Sequence, residues 1–130
     1  MLLPCEVAVK GLLPPLRAAL AKQLMTKHNL KQVEIAKLLG LSQPAISLYN
    51  RKMRGKALDL EKDKDLGRLI ERLADALAKG GLPHKEFTLK FCEICKVARA
   101  KGLLCNMHKT LDPEFDTERC QLCTATLECF

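Results

Sequence analysis

The most constraining feature of the sequence is a pair of short amphipathic segments separated by a three-residue break. The first begins near Lys31 and places five apolar side chains mostly on one side at helical spacing: Val33, Ile35, Ala36, Leu38 and Leu39. Gly40, a residue type that commonly adopts the left-handed conformation past a helix end, stops this segment. Ser42 offers an N-cap oxygen to a second helix over residues 43–51, and Pro44 is tolerated in its first turn. The spacing predicts two helices joined by a tight turn.

The stretch QVEIAKLLGLSQPAISLYNR, residues 32–51, resembles the Cro and phage-repressor (XRE-type) helix-turn-helix family position by position. The family has a small residue at the fifth position, usually glycine at the ninth, and apolar residues at five others. The matching residues here are Ala36, Gly40, Ile35, Leu39, Leu41, Ile46 and Tyr49. The resemblance implies that the second helix enters the major groove of DNA. Its outward positions would face the groove: Ser42, Gln43, Pro44, Ser47, Leu48 and Arg51.

By the same resemblance, Gln32 would contact a DNA phosphate and Gln43 would read a base, because an amide can pair bidentately with adenine. Ser47 would be a second, weaker reader. Pro44 and Leu48 depart from the family, in which polar side chains are common at these positions, so specificity is expected to be narrow or partly shape-based. The run RKMRGK follows, and its basic side chains would lie against backbone phosphates: Arg51, Lys52, Arg54 and Lys56.

The net positive charge of the chain comes almost entirely from its first half. Residues 1–60 carry ten Lys or Arg against three acidic residues, a net charge of +7, whereas residues 61–85 carry +1 and residues 86–130 carry −1. This distribution indicates a polyanion partner for the N-terminal segment. Only 4% of the residues are aromatic and none is Trp, so stacking surfaces for single strands are scarce. A nucleic-acid duplex or a protein is therefore favoured over a single strand as the partner, and the resemblance to the helix-turn-helix family implies double-stranded DNA.

The remaining segments predict further helices and two extended stretches. Pro14 and Pro15 suit the first turn of a helix with leucines at spacings of three and four. After a charged linker at residues 59–65, an apolar stripe from Leu66 to Leu77 predicts a helix that either completes the core or forms a homodimer contact. Two stretches are predicted to be extended: LLPCEVAV (residues 2–9), as a strand or arm, and EFTLKF (residues 86–91), as a strand.

Three closely spaced pairs of metal-binding residue types lie within thirty-two positions: Cys92 with Cys95, Cys105 with His108, and Cys120 with Cys123. Two-residue spacing lets both thiolates of a tight turn point at one ion. Zinc would use the first and third pairs, whereas an iron–sulfur cluster would use four thiolates and draw in Cys105. His108 is the least secure ligand. Cys5 and Cys129 are better explained as small buried or terminal thiols, although Cys5 would approach the site if the N-terminal segment packs there.

The sequence thus predicts a mostly α fold, a helical helix-turn-helix bundle with a small C-terminal Cys-rich metal-binding module. The expected organisation is a DNA-binding domain at 1–58, a linker and packing or dimerisation helix at 59–85, and a metal or iron–sulfur module at 86–130. LPCE (residues 3–6) and LPPLRAALAKQL (13–24) add a resemblance to small, mainly archaeal, predicted transcriptional regulators with a C-terminal cysteine cluster.

These features favour a cytoplasmic DNA-binding regulator whose cysteine cluster senses metal or redox state, with no membrane segment. No phosphate loop, nucleophile elbow or H-E-x-x-H motif indicates an enzyme. The iron–sulfur interpretation is slightly preferred over Zn²⁺. The alternative is a zinc-stabilised regulator or interaction protein in which the metal is purely structural.

Overall fold

The computed structural model of the chain describes residues 4–50, 60–111 and 113–114. This part of the chain is 81% helical and contains no strand, which confirms the mostly α prediction. The α-helices are α1 (Pro4–Val7), α2 (Leu13–Thr26), α3 (Gln32–Leu39), α4 (Gln43–Asn50), α5 (Lys64–Ala78), α6 (His84–Ala100) and α7 (Leu103–Leu111). A short 3₁₀ turn, Leu60–Lys62, precedes α5. None of the helices within these ranges has the length and apolar character that crossing a bilayer requires.

The N-terminal segment is helical, so the predicted strand or extended arm over residues 2–9 is wrong wherever the segment is described. A π-helical turn, Ala8–Leu12, joins α1 to α2, and the Leu13 N–H donates to the Ala8 carbonyl five residues earlier. Pro14 and Pro15 have no N–H groups to donate to the carbonyls four residues before them, which accounts for the local departure from α-helical geometry. Val7, Ala8 and Leu12 are buried, so this segment belongs to the core.

Helix α2 is the centre of the bundle and packs against α3, α4 and α5. Its leucines Leu16, Leu20 and Leu24 are fully buried. Ion pairs at the edge of this packing join α2 and its C-terminal end to the segment from Glu61 to Asp75. The pairs are Lys22 with Glu61 at 3.5 Å, Lys27 with Glu71, and His28 with Asp75 at 2.8 Å. The contact with Glu71 raises the pKa of Lys27 above 10.5.

The apolar stripe of α5 is buried within the single chain, as the core-completing alternative requires. Leu66, Ile70, Leu73 and Leu77 are all at most 1% exposed. They pack between α2 and α6, which flank α5. Because the chain itself covers this stripe, a contact between two copies would have to use another surface.

The predicted strand over residues 86–91 is also wrong, because this stretch is the first half of α6. The alternation of Phe87, Leu89 and Phe91 overlaps a helical spacing, in which Phe87 and Phe91 continue into Ile94 and Ala98. The two phenylalanines pack against the core, whereas Leu89 is 46% exposed. Burial follows the helical period, so the alternation does not indicate a sheet.

The turn between α6 and α7 is held to the start of α5 by one lysine. Lys101 Nζ lies 3.0 Å from Asp63 Oδ2 and 2.9 Å from Asp65 Oδ2. Asp63 is also the N-cap of α5, where its Oδ1 accepts hydrogen bonds from the N–H groups of Asp65 and Leu66. The bond from Lys101 and these N–H groups lower the pKa of Asp63 below 3.8. The carboxylates of Asp65, which has the larger effect, and of Asp63 raise the pKa of Lys101 above 10.5.

We predict that Asp63→Asn destabilises the protein in a pH-dependent manner, because Asn can still cap α5 but loses the charge that binds Lys101. The difference in unfolding free energy between wild type and variant should be present above about pH 3.8 and lost as pH falls through the lowered pKa. On the alkaline side it should be present below about pH 10.5 and lost as pH rises through the raised pKa of Lys101.

Urea denaturation across this pH range measures the difference. Glu34→Gln is the matched control, because Glu34 is exposed and forms no ion pair within the described residues. A difference between wild type and Asp63→Asn that stays constant down to pH 2 would exclude the ion pair as its source.

Candidate nucleic-acid interface

The turn between α3 and α4 has the geometry that its sequence predicts. Gly40 adopts the left-handed conformation, with φ 66° and ψ 32°. The Leu41 N–H donates to the Ala36 carbonyl at 2.9 Å, and the Gly40 N–H reaches the Lys37 carbonyl at 3.4 Å. These bonds satisfy carbonyls at the end of α3 that have no partner in the helix itself. The turn is thereby fixed by backbone bonds between residues 36 and 41.

Ser42 caps α4, as predicted. The Ala45 N–H donates to Ser42 Oγ at 3.3 Å, and the Ile46 N–H donates to the Ser42 carbonyl at 3.2 Å. Pro44 lies in the first turn, where its missing N–H costs no helical bond. The cap uses the Ser42 oxygen as an acceptor, so its hydroxyl hydrogen stays available for donation to another group.

The apolar set predicted between the two helices faces the core. Ile35, Ala36, Ile46 and Tyr49 are buried, while Leu39 and Leu41 are half-buried and pack against the core. The small side chain of Ala36 suits the close packing of α3 on α4. Val33, which the sequence placed with the apolar side of α3, is instead 49% exposed.

The residues predicted to contact DNA fall into three groups by exposure. Ser42, Gln43 and Pro44 are exposed at the start of α4. Ser47 and Leu48, further along α4, and Gln32, at the start of α3, are half-buried. The basic run lies outside the described residues, including Arg51, Lys52, Arg54 and Lys56. The exposed start of α4 is therefore the part of the predicted interface that the structure describes most fully.

The charge near α3 and α4 comes from outside α4, which carries no ionisable side chain apart from Tyr49. Lys31 and Lys37 flank and lie on α3, and both are exposed. Within the described part of the chain neither forms an ion pair. These two lysines were not among the predicted DNA contacts, although their position in and beside the motif indicated them. They add positive charge on and next to α3.

The described candidate metal ligands lie on α6 and α7, which pack together. Cys92 and Cys95 are three positions apart on α6, and Cys105 and His108 are three apart on α7. Such spacing places each pair on one side of its helix. Because Cys92 and Cys95 lie inside α6, the predicted tight turn around them is wrong. Cys95 is 8% exposed and His108 3%, whereas Cys92 and Cys105 are half-buried.

The predicted ligands Cys120 and Cys123 lie outside the described residues, as does Cys129. Among the side chains that the structure describes, no three His, Cys, Asp or Glu residues are grouped closely enough to hold a metal ion. Arg99 is buried on α6, seven positions after Cys92 and four after Cys95, on the same side of the helix. Burial of Arg99 was not predicted, because an isolated arginine in a charged helix is most often exposed.

We predict that Gly40→Ala lowers the free energy of unfolding by about 1–2 kcal/mol, because a β-carbon disfavours the left-handed backbone. No atom lies within 4 Å of the added carbon, so the loss should come from the backbone and not from a clash. Gly40→Asn should cost less, since Asn tolerates this conformation. Urea denaturation of both variants tests this, and equal losses would contradict the backbone explanation.

Comparisons with known proteins found no relatives for this chain. No protein-family model matches it. No curated protein and no solved structure matches it either. The function proposed below therefore depends on the residues and their arrangement.

Proposed function

We propose that the protein is a sequence-specific DNA-binding transcriptional regulator that reads double-stranded DNA with α4. The observation that carries this proposal is the α3–turn–α4 unit. Both helices pack against α2, and the buried residues include Ile35 and Ile46, while Ser42 and Gln43 stay exposed at the start of α4. In helix-turn-helix proteins the N-terminal residues of the second helix contact base edges. The exposed polar start of α4 suits that role.

Gln43 is the best candidate for a base contact. It is exposed at the first position of α4 and directly follows Ser42, whose side chain caps the helix. An amide side chain offers a donor and an acceptor together, which matches the major-groove edge of adenine. Ser42 and Ser47 carry hydroxyl groups that can contact a base or a phosphate. Pro44 offers only an apolar surface, which suits contact with a thymine methyl group.

The affinity would come mainly from basic side chains that contact phosphates. Arg51, Lys52 and Arg54 follow α4 directly in the sequence, and Gln32 begins α3. Lys31 and Lys37 supply further positive charge beside the motif. Contacts of this kind release counterions and are insensitive to base sequence. Binding should therefore weaken steeply as salt concentration rises.

We also propose that the protein binds DNA as a homodimer, because two-fold symmetric half-sites suit two copies of such a motif. The stripe of α5 is covered within one chain, so it does not provide the contact. Leu89 and Val9 are among the exposed large apolar side chains that remain on the surface.

We predict that Gln43→Ala weakens binding to the preferred duplex by about 1–3 kcal/mol and relaxes preference at one base pair, because the bidentate contact is lost. The preferred duplex is first selected from a random pool with the wild-type protein. Fluorescence anisotropy then measures binding of each variant to that duplex and to single-base changes of it.

Two controls separate base reading from charge. Arg54→Ala should weaken binding to all duplexes alike and reduce the salt slope by about one. Lys85→Ala removes one charge from an exposed position on α6 and should change neither quantity. An unchanged base preference in Gln43→Ala would remove Gln43 as a reader.

The second part of the proposal is that the cysteine-bearing segment binds an iron–sulfur cluster or Zn²⁺ and acts as a redox or metal sensor. A buried thiol and a buried imidazole on two packed helices are donors that suit either group. The sequence offers more cysteines than a structural zinc needs, which favours the cluster. The alternative is a zinc-stabilised regulator or interaction protein in which the metal serves only the fold.

Anaerobic purification with metal analysis distinguishes these possibilities. The cluster predicts a brown protein with iron and sulfide in similar amounts, which bleaches in air and changes its affinity for the selected duplex. A colourless protein with stoichiometric zinc and the same affinity in air and under reductant would support the structural alternative. A protein without metal would contradict both.

A further inference from the structure

We infer that the outer groove between α5 and α6 is the surface through which two copies of the chain form the proposed homodimer. This inference rests on the homodimer part of the proposed function and extends it by assigning the contact surface. The groove is lined by Leu69, Arg72, Leu73, Lys90 and Glu93. Its occupant is the same groove of a second copy, with the Glu93 carboxylate of each copy placed between the two cations of the other.

The groove lies where α5 and α6 run side by side. These helices pack together and are joined by a short connection at residues 79–83. Leu73 is 1% exposed and Leu69 is half-buried, so the base of the groove is apolar. The groove has a volume of about 70 Å³. Since a cavity of about 10–15 Å³ already holds one water molecule, the groove has room for the carboxylate end of a side chain.

The groove carries charges of both signs that the chain itself leaves unmatched. Arg72 and Glu93 are exposed and Lys90 is half-buried, and within the described part of the chain none of the three forms an ion pair. The acidic residues on the opposite edge of α5, Glu71 and Asp75, are paired with the end of α2. A two-fold interface needs a surface that is complementary to itself. Two cations beside one carboxylate meet this requirement, because each carboxylate can contact the cations of the other copy.

An exposed leucine extends the groove with apolar surface. Leu89 is 46% exposed, and it precedes Glu93 by four positions, so the two side chains lie on the same side of α6. Ion pairs on an open surface contribute little to association, whereas partly buried pairs are screened much less. Burial of Leu89 against the second copy would exclude water from the neighbouring ion pairs. The contact leaves the buried stripe of α5 covered within each chain.

Charge reversal in the full chain tests this inference. Glu93→Arg makes all three groove charges positive, and the double variant Arg72→Glu with Lys90→Glu makes all three negative. Each variant alone should raise the dimer dissociation constant by about tenfold or more, because like charges then meet across the interface. Mixed in equal amounts, the two variants should associate with each other. Analytical ultracentrifugation, with and without the selected duplex, measures both results.

Matched variants separate the groove from general effects of charge and apolarity. Glu34→Arg reverses one charge at an exposed position on α3 and should dimerise as wild type does. Leu89→Ser should weaken the dimer, whereas Val33→Ser, at a position that is 49% exposed on α3, should not. Circular dichroism checks that each variant is folded. If a charge variant fails to fold, the comparison of Leu89→Ser with Val33→Ser still tests the surface.

The outcomes distinguish the surface from the homodimer itself. A dimeric wild type whose charge variants and Leu89→Ser remain equally dimeric would overturn the inference and leave the homodimer proposal intact. A wild type that stays monomeric with and without the selected duplex would overturn both. Charge variants that remain dimeric but bind DNA with a changed salt slope would make the groove a phosphate contact, which also overturns the inference.

Discussion

The packing of the leucine side of α2 is the interaction on which the rest of the structure depends. Leu16, Leu20 and Leu24 are fully buried, and α2 contacts α3, α4 and α5. Truncating a side chain of this kind to alanine typically costs about 2–5 kcal/mol, a large part of the stability of a small domain. The direction of α4, and with it the exposure of Gln43, depends on this packing because α4 alone is only eight residues long.

The segments that carry the two proposed activities are connected through α5 and α2. Lys101, at the turn between the two cysteine-bearing helices, binds both Asp63 and Asp65 at the start of α5. The segment that leads into α5 follows α4 in the chain. A displacement of the α6–α7 turn would stretch or break these two contacts at the beginning of α5. Helix α5 packs on α2, which also contacts α4, so the contact made by Lys101 connects the proposed sensor to α4 through the core.

The sequence predicted the structure correctly where local conformational preferences and tertiary packing favour the same conformation. Gly40 and Ser42 set the α3–α4 turn by backbone conformation and capping, both of which depend on neighbouring residues alone, and their roles were predicted correctly. The N-terminal segment and residues 86–91 were predicted to be extended, because a short run with alternating apolar residues fits both the two-residue period of a strand and the 3.6-residue period of a helix. Their helical form is decided by burial of Val7 and Ile94 in a common core. The contact of Lys101 with Asp63 joins residues distant in sequence, so no local pattern could indicate it.

The measurement that tests the central claim most directly is an NMR titration of the full chain with the duplex that it selects from a random pool. If α4 reads DNA, the largest changes in backbone amide shifts should fall on residues 42–48, with much smaller changes along α6, residues 84–100. Shift changes concentrated on α6, with residues 42–48 unaffected at saturation, would contradict the account. So would the absence of any selected duplex that binds more tightly than the unselected pool.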